Sequence, residues 1–454
     1  PKLKTTATGV TVDGEVAASQ DYPNIRPTLD FNFAAEKKLD PRITYQRTGV
    51  ASFVNEFGKV VKVGDNVPRF DHDPITRESK GLLIEESRTN VAESSEDFGN
   101  TSFWSPTNQT ITTNVATAPD GTLTADNVVP AAGSAATRYL YFSVSTFPMS
   151  ANASYTSSIF VKKNGLRYFA LQAHDNGSGS GHRAGFDLDN GTVVYPNNMG
   201  SASAVSASIV EFPNGWFRCI ITGTTAGSGS TGRTAFSFSS ALNNQASVGA
   251  ITADGTNGGY VWGHQVEAGD FATSYIPTNG STATRGMENV TITDDEFTDF
   301  YNPLESTAVC EFDTSNWITY NNNKYERIFA FGNHNTETDT FEVFKQNSSN
   351  SEVRYRVRTA NSNVMGAANY SYGTNTTPKV AFALKLNDAA VTVDGGTPGG
   401  TGDTSIPMPT VTKLSLGNSG LENNGGVHTL TGYIRRFMYY PVKLPDSQVV
   451  TLTS

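Results

Sequence analysis

The chain has 454 residues, a formal net charge of −10 and only 17 % charged residues. This length is enough for about three domains, each with its own hydrophobic core. The negative charge argues against a nucleic-acid-binding surface, because phosphate binding needs a basic face. No apolar run approaches the roughly 20 residues of a membrane span, so we expect neither nucleic acid nor membrane insertion.

The composition favours an all-β protein. Glycine reaches 42 residues, and the chain contains 18 tyrosines and 26 phenylalanines. Many turns and many aromatic residues with few charges are typical of strands joined by short loops. The two cysteines, Cys219 and Cys310, fall in different predicted domains, so we expect no disulfide framework.

In the N-terminal fifth of the chain the sequence predicts two small regions. Residues 1–27 contain short β-prone runs and then DYPNIRPT with two prolines, which cannot form a core alone. They are either an extended attachment and oligomerisation arm or a frayed terminus. Residues 28–90 predict a small β connector, with short strands and a helical segment that ends before Pro41.

Residues 91–285 predict a jelly-roll domain of about eight strands. Three Asn-Gly pairs lie between β-prone runs: Asn164-Gly165, Asn190-Gly191 and Asn214-Gly215. Asn-Gly supplies the positive φ angles of a type I′ turn, so each pair predicts a hairpin.

The segment Tyr260–Pro277, YVWGHQVEAGDFATSYIP, predicts the strand that closes this domain. Apolar and polar residues alternate, and the chain then turns at Gly269-Asp270. The alternation places four residues on one face: Tyr260, Trp262, His264 and Val266. The tryptophans Trp104, Trp216 and Trp262 are predicted core residues, and His264 is predicted to be a core or interface histidine whose hydrogen bonds are satisfied.

Residues 286–454 predict a second β-sandwich. Strand candidates such as STAVCEFD, RIFAFG, EVRYRVRT and KVAFALKL follow one another at even spacing. The segment after Pro445, SQVVTLT, predicts one short helix. The fold class is therefore all-β, with two consecutive β-sandwich domains after the arm and the connector.

Several stretches in consistent order resemble a known module. PRFDHDPITRESKGLLIEESRTN, SIFVKKNGLRYFAL, NGWFRCIITGT and YVWGHQVEAGDFATSYIPT are similar to a carbohydrate-binding-type jelly roll of bacteriophage tail-fibre and virion appendage proteins. This resemblance covers roughly residues 28–285. Residues 290–454, ending in LTGYIRRFMYYPVKLPDSQV, resemble the concanavalin A-like or laminin-G-like lectin sandwich that often follows it.

The resemblance implies a structural protein on the exterior of a phage particle, assembled in the host cytoplasm. It implies a homotrimer, contacts with other virion proteins through the N-terminal arm, and recognition of host-surface glycan. It does not imply that either sandwich has kept a sugar site, because fold alone does not carry function.

Glycan hydrolysis, the enzymatic activity closest to this resemblance, needs two carboxyl groups about 5–5.5 Å apart in retaining enzymes. Glu311 and Asp313 alternate on one predicted strand, but the next positions supply no second acid, so they predict a strand end. We therefore expect no catalytic residues and predict that the chain is not an enzyme.

Metal and cofactor sites are not predicted. Asp71-His72-Asp73 and Asp187-Leu188-Asp189 place oxygen ligands two residues apart, but Ca²⁺ needs about six to eight oxygens. Turn formation explains both runs. The sequence contains no phosphate-binding loop, dinucleotide fingerprint or nucleophile elbow.

Sugar contact is the remaining functional signal, since sugars stack on aromatic rings and form hydrogen bonds with nearby amides. Two loop-like clusters offer both groups. The first contains Trp317, Tyr320 and Tyr325, and the second contains Tyr370 and Tyr372. These five residues are the predicted ligand-binding residues.

Three functions stay open from the sequence. The first is a phage fibre that recognises host glycan by weak sites repeated on a multimer, which gain avidity. The alternatives are a glycan-degrading appendage and a decoration protein of the capsid or tail that binds no host ligand.

Overall fold

The computed structural model describes residues 2–6, 9–13, 22–135, 139–147, 149–225, 231–243, 251–313, 325–333, 338–346, 352–366, 370–399, 406–418 and 429–454. The regular secondary structure of these residues is almost entirely antiparallel strand, which confirms the all-β prediction. Their helices are short: α1 Phe33–Glu36, α2 Asp294–Thr298 and α3 Asp446–Thr453. None of the helices in these ranges is long and apolar enough to span a membrane.

The strands are numbered in chain order. Up to residue 90 they are β1 Lys2–Thr6, β2 Gly9–Asp13, β3 Leu29–Phe31, β4 Thr44–Gln46, β5 Ala51–Val54, β6 Val60–Val63, β7 Phe70–His72, β8 Ser79–Ile84 and β9 Arg88–Asn90. Up to residue 286 they are β10 Trp104–Thr107, β11 Gln109–Ala116, β12 Ala125–Pro130, β13 Gly133–Ala135, β14 Tyr139–Phe147, β15 Ser154–Asn164, β16 Tyr168–Asp175, β17 Gly181–Asp187, β18 Thr192–Met199, β19 Ser203–Phe212, β20 Trp216–Thr224, β21 Gly232–Ser239, β22 Ile251–Ala253, β23 Gly258–Ala268 and β24 Ala283–Arg285. The remainder are β25 Asn289–Thr293, β26 Glu305–Asp313, β27 Tyr325–Gly332, β28 Thr340–Gln346, β29 Glu352–Thr359, β30 Ser362–Gly366, β31 Tyr370–Ser371, β32 Lys379–Lys385, β33 Asp388–Val393, β34 Lys413–Leu416 and β35 Gly432–Tyr440.

The chain divides into two compact units. Unit 1 comprises residues 1–46, 80–86 and 287–454, and unit 2 comprises residues 47–79 and 87–286. The predicted connector, residues 28–90, is distributed over both units instead of forming a module between them. Strand pairing is the reason, because β3 and β8 pair with β35 inside unit 1. In the predicted arm, β1 and β2 pair with each other, and residues 14–21 lie outside the described part.

Unit 2 is a sandwich of two antiparallel sheets. The first has the order β10-β14-β21-β16-β17-β18, and the second has the order β11-β12-β23-β15-β20-β19. Apolar side chains from both sheets meet between them, and Trp104 and Phe236 are fully buried there with Ile159. The predicted core tryptophans are buried, as expected.

Two of the three Asn-Gly pairs form hairpins. Asn190-Gly191 joins the paired strands β17 and β18, and Asn214-Gly215 joins the paired strands β19 and β20. The hairpin predicted at Asn164-Gly165 is wrong, because β15 and β16 belong to opposite sheets of the sandwich. The turn there carries the chain from one sheet to the other.

The alternation predicted for the closing strand β23 breaks at Gly263. This glycine has a φ of +64°, and the pairing of β23 with β15 shifts register just before Phe160. Such a β-bulge adds one residue and turns the following side chains to the other face. Trp262 packs on Phe160, with ring centroids 5.4 Å apart, whereas His264 contacts Trp104 in the main core. The prediction that Trp262 and His264 share a face is therefore wrong.

His264 is a core histidine, as expected. The prediction that its hydrogen bonds are satisfied holds for only one of its two ring nitrogens. Its Nε2 lies 3.2 Å from the Thr234 hydroxyl, whereas its Nδ1 has no hydrogen-bond partner among the described residues. Burial lowers its pKa to about 3, so the ring is neutral at physiological pH.

After β23 the chain turns at Gly269 and returns along its own strand. The Glu267 carboxylate accepts hydrogen bonds from the backbone N–H and the hydroxyl of Thr273, at 2.9 and 2.7 Å. The buried Tyr275 ring lies 4.8 Å from the ring of Trp262. Hydrogen bonds and ring packing together close this end of the unit.

Unit 1 is also a two-sheet sandwich. One sheet has the order β30-β29-β28-β27-β34-β25-β4, and the other includes β33-β32-β26-β35-β8. Phenylalanines fill the space between the sheets: Phe341 stacks on Phe331 at 4.4 Å and meets Phe382 edge-on at 5.8 Å. The predicted C-terminal helix is present as α3, which packs Val449 and Leu452 on the second sheet.

Candidate functional site

Two of the five predicted sugar-contact residues, Trp317 and Tyr320, lie outside the described residues. Tyr325 begins β27, where its backbone pairs opposite Gln346. The role of these three residues in sugar contact stays a prediction.

The second predicted cluster packs into unit 1. Tyr372 is 6 % exposed, and its ring meets Phe312 edge-on at 6.2 Å. Tyr370 is half-buried against Tyr355, with ring centroids 5.8 Å apart, and burial raises the pKa of its phenol to about 12. The two rings are close in sequence but make different contacts, so they form no joint platform.

The acidic runs have structural partners. Glu311 accepts a hydrogen bond from Arg435 Nε at 2.8 Å near the end of β26. Asp187 is held by Arg167, whose side-chain hydrogen bond lowers the carboxyl pKa to about 2. Asp71 accepts a hydrogen bond from the Val54 backbone N–H. The described residues contain no group of three or more His, Cys, Asp or Glu that could hold a metal ion.

The strongest candidate site lies in unit 2, on the side of the first sheet that faces away from the core. Strand β16 alternates there: Phe169, Leu171 and Ala173 enter the core, so Gln172 and His174 point outward. We call this surface the polar face. It comprises Gln109, Gln172, His174, Arg183, Arg233 and Ser237.

Strand register brings four of these residues together, whereas Ser237, the partner of Gln109, lies farther along the sheet, opposite Ala170. Gln172 lies directly opposite Arg183 of β17, and His174 lies directly opposite Arg233 of β21. Directly opposed residues of antiparallel strands have Cβ atoms about 4.5–5.5 Å apart. The side chains of three neighbouring strands therefore meet in one place, although their positions span 62 residues of sequence (172 to 233).

The floor of the polar face is buried and yet polar. Gln172 is only 6 % exposed and His174 only 9 %. His174 Nδ1 has no hydrogen-bond partner among the described residues, and neither does Gln109 Oε1. The other end of the Gln109 amide donates to the Ser237 hydroxyl at 2.8 Å, which fixes its orientation.

The charge state of His174 follows from its surroundings. Its pKa is lowered to about 4, mainly by burial and then by the charge of Arg233, while Asp175 acts in the opposite direction. The imidazole is therefore neutral at physiological pH, with one donor and one acceptor nitrogen. Burial also lowers the pKa of Arg183, which stays protonated because its ordinary value is so high.

Small residues pack closely beside these groups. Gly181 lies opposite His174, and Ala170 and Ala235 form the adjoining floor, where Leu242 packs as a wall. A Cβ at Gly181 would come within 2.4 Å of the His174 Cβ, so only glycine fits there. The polar face therefore combines an amide, a neutral imidazole and two guanidinium groups on a close-packed floor.

These groups can accept hydrogen bonds from hydroxyl groups, donate hydrogen bonds to them, and bind a carboxylate through arginine. The sequence interpretation missed the polar face, because no aromatic cluster marks it. The available signal was the alternation in YFALQAHD, which places Gln172 and His174 on one face. The arginines come from other strands, so only the register reveals them.

No protein-family model matches the sequence, and no curated protein matches it. Among solved structures, the chain is similar to the carbohydrate-binding module (CBM40) of a Ruminococcus gnavus IT-sialidase bound to α2,3-sialyllactose. The identity is 15 %, the TM-score is 0.29, and 36 % of this chain and 89 % of that chain are covered. A Trypanosoma rangeli sialidase matches at 12 % identity and a TM-score of 0.28, covering 72 % of this chain and 60 % of that chain.

These neighbours are a carbohydrate-binding module and a β-rich sialidase, and neither of them indicates a phage protein. The prediction that the chain is not an enzyme is corrected by this comparison, since sialidases, which are glycosidases, are among the proteins it resembles. At these identities and TM-scores the likeness concerns β-architecture and assigns no activity.

Proposed function

We propose that the protein binds glycans through the polar face of unit 2. The observation that carries the proposal is a pair of buried atoms on that face, His174 Nδ1 and Gln109 Oε1, which have no hydrogen-bond partner among the described residues. A buried polar atom without a partner costs about 1–3 kcal/mol. Hydroxyl groups on two units of a bound oligosaccharide would satisfy both atoms, because Ser237, the partner of Gln109, lies opposite Ala170, four positions along β16 from His174.

The preferred ligand class follows from the charges. Arg183 and Arg233 stand on either side of β16, and guanidinium groups bind carboxylates through paired hydrogen bonds. A sugar that bears a carboxylate therefore gains contacts that a neutral sugar lacks.

The biological setting of the proposal is a virion appendage that recognises host-surface glycan. The sequence resemblance to phage tail-fibre proteins supports this part. It also supports a homotrimer attached to other virion proteins through the N-terminal arm. Weak sites repeated on a trimer would gain affinity through multivalency.

Glycan binding is tested by calorimetric titration with sialyllactose, glucuronic acid and lactose. We compare the native chain with the Gln172→Ala/His174→Ala variant. Loss of buried hydrogen bonds should weaken binding by about tenfold or more, since each tenfold is about 1.4 kcal/mol. A reducing-end assay on the same mixtures detects any hydrolysis.

The matched control is Thr112→Ala, an exposed position on β11 of the same unit, which should leave binding unchanged. A second comparison uses Trp317→Ala/Tyr320→Ala, at the cluster predicted from the sequence. If this variant abolishes binding while Gln172→Ala/His174→Ala retains it, the polar face is not the site. If none of the sugars binds the native chain, the proposal fails for these ligand classes.

The virion role is tested separately. Purified protein should compete with whole phage for host cells, and failure to block adsorption at any concentration would contradict the receptor role. Sedimentation equilibrium measures the oligomer, for which the proposal requires three copies.

A further inference from the structure

Strand β29 of unit 1 carries three arginines on one face. In EVRYRVRT, Val353, Tyr355 and Val357 are buried in the core, so the alternate residues Arg354, Arg356 and Arg358 point to the other side. Residues two apart along a strand are about 6.8 Å from each other. We call Arg354, Arg356 and Arg358 the arginine strip.

A buried carboxylate fixes the middle arginine. Glu342 of β28 lies opposite Arg356 and is 1 % exposed. It accepts hydrogen bonds from Arg356 Nε at 2.6 Å and from Arg327 Nε at 2.5 Å. Burial alone would raise the pKa of Glu342, but the two guanidinium charges outweigh it and lower the pKa. Glu342 is therefore ionised and holds both arginines in place.

Further contacts limit the freedom of the strip. The guanidinium group of Arg356 lies over the Phe344 ring, 5.5 Å from its centroid. Arg358 donates a hydrogen bond to the Asn361 side chain. The Arg356 side chain is still 21 % exposed, so its charge is within reach of solvent. A group that is already held in place loses little entropy when it binds.

Charge on this face is strongly unbalanced. Within the described strands β27 to β30 it bears four guanidinium groups, those of the strip and of Arg327, against two carboxylates, Glu342 and Glu352. On the outer side, β30 (SNVMG) contributes no acidic residue to the pairing with β29. A local excess of two positive charges therefore stands out in a chain whose net charge is −10.

We propose that the arginine strip binds an acidic polysaccharide, as a second carbohydrate contact separate from the polar face. Three guanidinium groups in a row, about 6.8 Å apart, suit a linear polymer with repeated anionic groups better than a single small anion. A nucleic acid is disfavoured, because phosphate binding needs an extended basic face, whereas the strip has three guanidinium groups in a chain of net charge −10.

The experiment uses the full chain and three immobilised polymers: polygalacturonate as a carboxylate polyanion, dextran sulfate as a sulfate polyanion, and neutral dextran. The test variant is Arg354→Gln/Arg358→Gln, which leaves the Glu342 contacts intact. The control is Lys38→Gln/Lys385→Gln, which removes the same charge from exposed positions of unit 1. Thermal unfolding of both variants shows that they are folded.

We expect the arginine variant to lose at least about tenfold in affinity for one of the polyanions, and the control less than about twofold. The slope of log K against log salt should fall by about one for each arginine removed, since each contact releases a counterion. Neutral dextran should not bind. Equal losses in both variants, equal binding of neutral dextran, or tighter binding of a single-stranded oligonucleotide would each overturn the proposal. If the polar face binds no glycan, these results are not affected, because Gln172 and His174 are unchanged in both variants.

Discussion

The polar face of unit 2 and the arginine strip of unit 1 are both polar surfaces on the outside of a sandwich, but they are built differently. The polar face has a floor of neutral groups, and His174 and Gln109 keep buried atoms without partners among the described residues. In the arginine strip, a buried carboxylate is shared between Arg327 and Arg356. The first can recognise a ligand by hydrogen bonds at short range, and the second by charge.

Because of this contrast, changes of pH, salt concentration and sequence should affect the stability and the ligand affinity of the two surfaces differently. Binding through neutral groups depends weakly on salt concentration, whereas salt screens the interactions of exposed charges. Buried neutral histidines cost stability as the pH falls below about 6.5, whereas Glu342, whose pKa is lowered from 4.5, loses its stabilising contribution only at more acidic pH.

The largest change in the free energy of unfolding is expected for Glu342→Gln. This change leaves the guanidinium groups of Arg327 and Arg356 without their carboxylate, and Arg327 is 2 % exposed. Removing one partner of a buried ion pair costs about 3–5 kcal/mol. Chemical denaturation should show this loss, while Glu36→Gln at an exposed position should change the free energy of unfolding by less than about 0.5 kcal/mol. Equal stability of the two variants would contradict the role given to Glu342.

The next effect is the acid sensitivity of unit 2. His182 is fully buried against Gly223, and neither of its ring nitrogens has a partner among the described residues. Burial, with a smaller contribution from the charge of His174, lowers its pKa to about 3. Because the folded-state pKa lies below the unfolded value of about 6.5, stability is full above that pH and falls below it.

Between about pH 6.5 and pH 4.5 the loss from His182 should be roughly 2–3 kcal/mol. The His182→Gln variant should lack this loss, so its free energy of unfolding should fall less as the pH is lowered. Asp126 acts in the opposite sense, because burial raises its pKa to about 6, so the informative quantity is the difference between native and variant curves. If the stability of the native chain and that of His182→Gln fall in parallel as the pH is lowered, the low pKa assigned to His182 is wrong.

A smaller effect is expected for Arg183→Gln on the polar face. The affinity for glucuronic acid should fall about tenfold, and that for lactose less than about threefold, because only the acidic sugar uses the guanidinium group. Lys163→Gln, at an exposed position of the same unit, should change neither affinity. If the affinity for both sugars falls equally, Arg183 does not bind the carboxylate.

The smallest effect is the salt response of the polar face. Raising the salt from about 50 mM to about 500 mM should change lactose binding less than about twofold. Polygalacturonate binding at the arginine strip should fall more than about tenfold over the same range. If both surfaces respond alike, the contrast between neutral and charged recognition is wrong.

Local patterns in the sequence predicted much of the fold. The all-β class, the hairpins at Asn190-Gly191 and Asn214-Gly215, and the buried tryptophans follow from short-range turn chemistry and hydrophobicity. The bulge at Gly263 was not predictable from alternation, because one glycine with positive φ reverses the faces of a strand that otherwise looks regular.

The polar face could be predicted only in part. The alternation of β16 places Gln172 and His174 on one side, but the apposition of Arg233 depends on pairing with a strand far along the chain. The same limit applies to the connector, since the pairing of β3 and β8 with β35 joins segments more than 300 residues apart (84 to 432). Long-range register is set by packing of the whole unit and leaves no local signature.

Glycan binding at the polar face is tested most sharply by a crystal structure of the protein soaked with a saccharide that binds it in solution. We predict a sugar on the polar face, with a hydroxyl group within about 3.2 Å of His174 Nδ1 and another near Gln109 Oε1. A sugar bound instead at the cluster around Trp317 and Tyr320, with the polar face empty, would contradict the proposed site.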